Sequence, residues 1–195
     1  LRGKIGQPSI PMSLAADGAF FLGLKIGRRS ADLVMIDFLG TVRSTHRRVY
    51  RYPTPDAVVE FVAHSLPAML SLLTPAQRRR VGGLGVAMPF QLWNWVQALG
   101  APQAEMDSWR DRDIQAELAR ATGLPVYVQN DATSACGAEL VFGTGERPKD
   151  FLYFYFGTFI GGGLVLNGQL FLGSNLLGEL LDIYPSPCCE QSLIS

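Results

Sequence analysis

Asn130 and Asp131 are the pair whose residue types and place most directly suggest chemistry. They follow a short apolar run, Val126-Tyr127-Val128, and precede the helical segment Ala132 to Phe142. A carboxylate there lies at the carboxyl end of a buried strand, beside a helix N-terminus that favours its ionised form. Two roles fit that place. By spacing alone Asp131 reads first as a helix N-cap, and a carboxylate in such a place can also act as a general base. Trp93 and Trp95, with Trp109, either stack on a ligand ring or pack against the core. Three cysteines, two of them adjacent at Cys188 and Cys189, make neither a disulfide framework nor a tetrahedral metal site.

The elements that must position these groups follow from punctuation and periodicity. Residues 1–17 read as an extended linker with Pro8, Pro11 and Asp17-Gly18 as turns. Ala19 to Ile26, Ala31 to Phe38 and Val42 to Tyr52 read as a three-strand meander, the last with arginines facing solvent. Thr54-Pro55-Asp56 offers an N-cap, a proline at the first helical position and an acid in the first turn. Val58, Val59, Phe61, Val62 and Leu66 form that helix's apolar face, and Pro67 is expected to kink or end it. A strand from Val81 to Met88, a helix from Asp113 to Thr122 capped by Gly123, and a strand from Pro125 to Gln129 follow. After the helix ending at Phe142, Gly143, Gly145 and Pro148 break the chain. Phe151 to Phe156, Gly161 to Leu166 and Gln169 to Leu172 then read as strands, the last two joined by the hairpin signal Asn167-Gly168. A meander followed by alternating strands and helices implies an α/β fold with a mixed sheet. The predicted units are a linker over 1–17, a first lobe over 18–148 and the start of a second lobe over 149–195.

Composition narrows the function classes. Of 195 residues, 48% are hydrophobic and 17% charged, and 17 acids balance 17 Lys plus Arg. Zero net charge supplies no reason to expect nucleic-acid binding by these residues themselves. The basic stretches at Arg43 to Arg51 and Arg78 to Arg80 read as solvated strand and helix ends. No apolar run approaches the ~20 residues of a membrane helix, and the first residues lack the apolar core of a signal peptide. The cytoplasm is the expected compartment. The chain starts at Leu1 and ends in a segment without periodicity, so it reads as a fragment.

Four motifs in order resemble the ROK family (repressor, open reading frame, kinase) of the sugar kinase, actin and Hsp70 superfamily. They are Trp109 to Glu139, with its Gly-Leu-Pro-Val strand and Asn-Asp-Ala; Gly157 to Gly163; Leu166-Asn167-Gly168; and Gly173 to Glu179. The resemblance implies a ribonuclease H-like, actin-type ATPase fold, with a five-stranded mixed sheet carrying helices on both faces and the start of a second similar lobe. It also implies sugar contact by Asn130, Asp131 and Glu179, with Asp131 as the base if the chain is a kinase. Asp182 stands where many members have a histidine that binds sugar and zinc, and the family's zinc-binding cysteine cluster has no counterpart, so no metal is expected.

The phosphate-loop positions depart furthest from the family. Lys25-Ile26-Gly27-Arg28-Arg29-Ser30 stands where ROK kinases have an Asp-x-Gly-Gly-Thr-Lys turn. A lysine in place of that acid removes an oxygen ligand needed by Mg²⁺, and Arg28 and Arg29 obstruct backbone approach to phosphate. In the second loop, Gly157, Thr158 and Gly161 remain, but Phe159 adds bulk. The expectation is therefore a sugar-sensing effector domain of a ROK transcriptional regulator, with no cofactor. Its DNA contact would come through a helix-turn-helix upstream of Leu1, and the full-length protein could form a homo-oligomer. The alternative is a fragment of an ATP- and Mg-dependent sugar kinase.

Overall fold

The computed structural model describes residues 11–96, 100–143, 145, 148–156, 159–172 and 184–185. Three strands open the fold: β1 (Phe20–Ile26), β2 (Ser30–Asp37) and β3 (Val42–Val49). Helices α1 (Pro55–Ser71) and α2 (Pro75–Arg78) lead to β4 (Val81–Met88). A 3₁₀ turn at Leu92–Trp95 and the helices α3 (Gln103–Asp111) and α4 (Ile114–Thr122) precede β5 (Val126–Asn130). Helix α5 (Asp131–Phe142) connects to a second sheet built from β6 (Phe151–Phe156), β7 (Phe159–Leu166) and β8 (Gln169–Phe171). A short β9 (Tyr184–Pro185) pairs with β7.

The first sheet has five strands in the order β3-β2-β1-β4-β5. β1 to β3 form an antiparallel meander, while β1, β4 and β5 run parallel. Strict alternation in β1 buries Phe20, Leu22, Leu24 and Ile26 on one face, and β2 buries Ala31, Leu33 and Met35 beside them. Against that face pack Val58, Phe61, Val62, Leu66 and Met69 of α1 and Leu118 of α4. Burying a side chain of this size contributes roughly 1.5–3 kcal/mol, so this layer is the core that fixes the strand ends. The edge strand β3 is polar. Its Arg43, Arg47 and Arg48 pair with Asp37, Asp32 and Glu60, and charges on an edge discourage pairing with another sheet.

Local signals explain most boundaries. Thr54 Oγ1 accepts from Ala57 N at 3.3 Å with Pro55 in the first turn of α1. Asp113 caps α4 and Gly123 closes it. Pro67 does not end α1, which runs through it to Ser71. The proline is exposed, and the carbonyl it leaves unpaired belongs to Ala63, also on the exposed side. Leu66 and Met69, buried on either side of Pro67, hold the helix down. Arg112 joins α1 to α4 by ion pairs to Asp56, at 2.6 Å, and to Glu117.

Candidate functional site

The parallel strands β1, β4 and β5 end along one edge of the sheet. Lys25 lies opposite Ala87, and Met88 lies opposite Asn130. Ligand crevices in such sheets lie beyond this carboxyl edge. Asn130 is buried, and its Oδ1 accepts from Ala132 N at 2.9 Å and Thr133 N at 3.2 Å. It is the N-cap of α5. Asp131 is the first helical residue, and its Oδ1 accepts from Ala132 N at 3.0 Å. Gln129 adds a side-chain clamp, its Oε1 accepting from Asn130 N at 2.8 Å. Burial pushes the Asp131 carboxyl above its ordinary value, opposed by the Ala132 N–H, the positive charge of Lys25 and its own backbone. A carboxyl held this way is a stronger base than a solvated one.

Lys25 is the neighbouring charge, and it reaches across to the second sheet. Its Nζ donates to Tyr155 Oη at 3.2 Å and lies 5.7 Å from the centroid of that ring. The turn after β1 is closed on itself: Gly27 N donates to Ser30 O at 2.9 Å. Tyr50 Oη donates to Gly27 O at 2.8 Å, and Arg29 donates to Arg51 O at 2.5 Å. Burial, with Asp32 nearby, pushes the Tyr50 hydroxyl far above its usual range, so it stays a donor. Arg28 Nε is buried with no hydrogen-bond partner among the described residues. Gly161 lies opposite Tyr155 in the β6–β7 ladder, which places this position of the second loop beside the lysine's partner.

Beyond β4, a cavity of about 290 Å³ is lined by Met88, Pro89, Phe90, Gln91, Leu92, Trp93 and Trp109. Trp109 is buried and donates its indole N–H to Pro53 O at 3.0 Å, so it serves packing. Trp93 is half-buried, with the Arg110 guanidinium 5.5 Å from its ring. Trp95 packs against the core from a half-buried position.

Gly157, Thr158, Glu179, Asp182, Cys188 and Cys189 lie outside the described residues. Among the described ones, no three His, Cys, Asp or Glu come together to hold a metal ion, and no helix is long and apolar enough to cross a membrane. Two polar residues of this edge escape a reading of the sequence, Gln129 and Tyr155. Tyr155 has a signal in hindsight: Tyr153 and Tyr155 share one side of an otherwise apolar strand.

Comparison with known proteins places this architecture. Over 193 residues the chain is 22% identical to the xylose repressor of Bacillus subtilis, covering 95% of this chain and 48% of that protein. Over 151 residues it is 29% identical to a glucokinase of Streptomyces coelicolor, covering 76% of this chain and 44% of the enzyme. The chain thus spans about half the length of the curated relatives it matches. The solved inorganic polyphosphate/ATP-glucomannokinase of Arthrobacter sp. strain KM superposes with a TM-score of 0.65 at 26% identity, covering 89% of this chain and 71% of that one. The mixed five-stranded sheet is the actin-like ATPase fold of these sugar kinases. The ROK family model matches residues 21–189, and the chain belongs to the ROK family.

Proposed function

We propose that this chain is the sugar-sensing part of a ROK transcriptional regulator and binds a sugar without phosphorylating it. In this reading residues 18–148 are its first lobe, 149–195 begin a second, and 1–17 are the linker from a DNA-binding module. Asn130, Asp131, Glu179 and Asp182 are the sugar-reading residues. A sugar hydroxyl both donates and accepts, so carboxylates beside an amide suit it. One observation carries the choice of sensor over kinase. Where a kinase needs an acid for its metal–nucleotide complex, this chain has Lys25, whose ammonium is engaged by Tyr155 at 3.2 Å. A cation tethered there repels Mg²⁺ instead of binding it.

The kinase reading keeps one observation of its own, the Asp131 carboxyl raised by burial at the sheet edge. A coupled assay with Mg-ATP and a panel of hexoses and N-acetylhexosamines separates the two. The expected result is no phosphorylation, and turnover that Asp131→Asn abolishes would overturn the sensor reading. Calorimetry on the product of the complete reading frame tests the site. Asp131→Ala or Glu179→Ala should each weaken sugar binding by about 1–3 kcal/mol, roughly 5- to 150-fold. Equal affinity in both variants and the parent would remove these residues from the site. Sequencing upstream of Leu1 checks for the helix-turn-helix, and that module would place the protein in the cytoplasm with DNA as its partner.

A further inference from the structure

The cavity beyond β4 is held in shape by its own walls. Met88 and Leu92 are buried, and Trp109 spends its one donor on Pro53 O. Trp93 is pinned by the guanidinium of Arg110. Between them Gln91 takes a left-handed conformation, φ 55 and ψ 41, which non-glycine residues seldom adopt. Its Oε1 accepts from Asn94 Nδ2 at 2.8 Å, which secures the turn. Backbone held off its preferred regions concentrates at ligand clamps.

The lining defines what would enter. No wall residue is ionised, and Phe90 stands exposed among them. Gln91 is the polar wall residue and Arg110 lies against Trp93, but the remaining lining is apolar and aromatic, so a strongly hydrated group loses hydration there while a flat apolar group gains aromatic contact. The volume, about 290 Å³, sits at the small end of ligand pockets. The location is equally specific. Met88 lines the cavity and lies opposite Asn130 on the neighbouring strand, and adjacent strands are about 4.8 Å apart. The cavity wall thus lies one strand spacing from Asn130, within reach of a substituent on a sugar held at Asn130 and Asp131.

We propose that this cavity is an aglycone subsite and that the ligand is a glycoside bearing an aryl or comparably apolar group, packed against Phe90 and Trp93. The proposal rests on the sugar-binding reading above and narrows its ligand class from free sugars to apolar glycosides.

The test compares phenyl with methyl glycosides, in both anomers, of glucose, xylose, galactose and N-acetylglucosamine. Binding is measured by calorimetry on the product of the complete reading frame. For at least one sugar the phenyl glycoside should bind about tenfold or more tightly than the methyl glycoside. Phe90→Asp, at an exposed position, should abolish that preference while leaving the methyl glycoside's affinity within about twofold and the circular dichroism unchanged. Trp93→Ala should act in the same direction. Methyl and phenyl glycosides bound equally, or a phenyl preference that survives Phe90→Asp, would overturn the aglycone subsite and leave the sugar reading intact. Phenyl compounds bound with no dependence on the sugar or on Asp131 would overturn the glycoside assignment together with the sugar reading.

Discussion

Asn130 and Asp131 occupy adjacent positions and do different work. Asn130 satisfies two of the free N–H groups at the start of α5, so Asn130→Ala should cost about 1 kcal/mol, up to about 2, read by denaturant unfolding. Asp131 works against the fold when ionised, because burial raises its pKa. Between the unfolded value, near 3.8, and the higher folded one, the native state binds more protons than the unfolded chain. The carboxyl's contribution to stability therefore falls as pH rises through that window and is flat above it. Unfolding curves of the parent and Asp131→Asn, taken from pH 3.5 upward in roughly half-unit steps, should show the parent losing stability relative to the variant over that window. A difference independent of pH would mean that burial does not act on this carboxyl. The sequence points to Asp131 as the cap, but Asn caps as well as Asp, and the structure puts the cap at Asn130 with Asp131 as the first helical residue. The end of β5 at Asn130, fixed by its pairing with Met88, decides it.

The elements divide according to how local their signals are. Helix α1 announces itself through Thr54-Pro55-Asp56, and the β7–β8 hairpin through Asn167-Gly168, where both residues take positive φ. Helix α3 carries no such signal: Pro102 at its N-cap makes no side-chain bond, and only Met106 and Trp109 are buried. Two contacts three residues apart make too short an apolar stripe to stand out in a sequence. The packing of α5 on β7 is wholly non-local. A Cβ added at Gly163 would lie 2.3 Å from Cys136 Cβ and 2.7 Å from its Sγ. Gly163→Ala should therefore destabilise the protein by about 1–3 kcal/mol, measured by thermal or denaturant unfolding. Cys136→Ala should fail to rescue it, because the Cβ that clashes remains. Full rescue would mean that the sulfur alone sets the spacing.

Across the whole molecule, the first sheet is covered on its α1 side, whereas among the described residues one side of β6 is exposed. Leu152, Phe154 and Phe156 alternate along β6 and are 63%, 58% and 74% exposed. The rings of Phe154 and Phe156 lie 6.5 Å apart and extend the patch along the strand. A run of exposed aromatic surface on a strand is an association hazard. The 195-residue chain alone should self-associate with rising concentration in sedimentation velocity, and Phe154→Lys with Phe156→Lys should suppress it. A monomer that melts sharply and shows no concentration dependence would contradict this view.

The sequence by itself determined most strands, the capped helices, the sheet class and the family, because helix caps, strand alternation and a glycine-rich motif order are encoded within a few residues of one another. It also marked Asn130 and Asp131, through the junction of an apolar strand with a helix. Only the tertiary structure decided their surroundings. Lys25 and Tyr155 are 130 residues apart and meet at 3.2 Å, and the cavity joins Met88 to Trp109 across two loops and a helix. Such meetings depend on which strands pair and which faces are buried, and these are set by the summed burial of the core rather than by any local pattern.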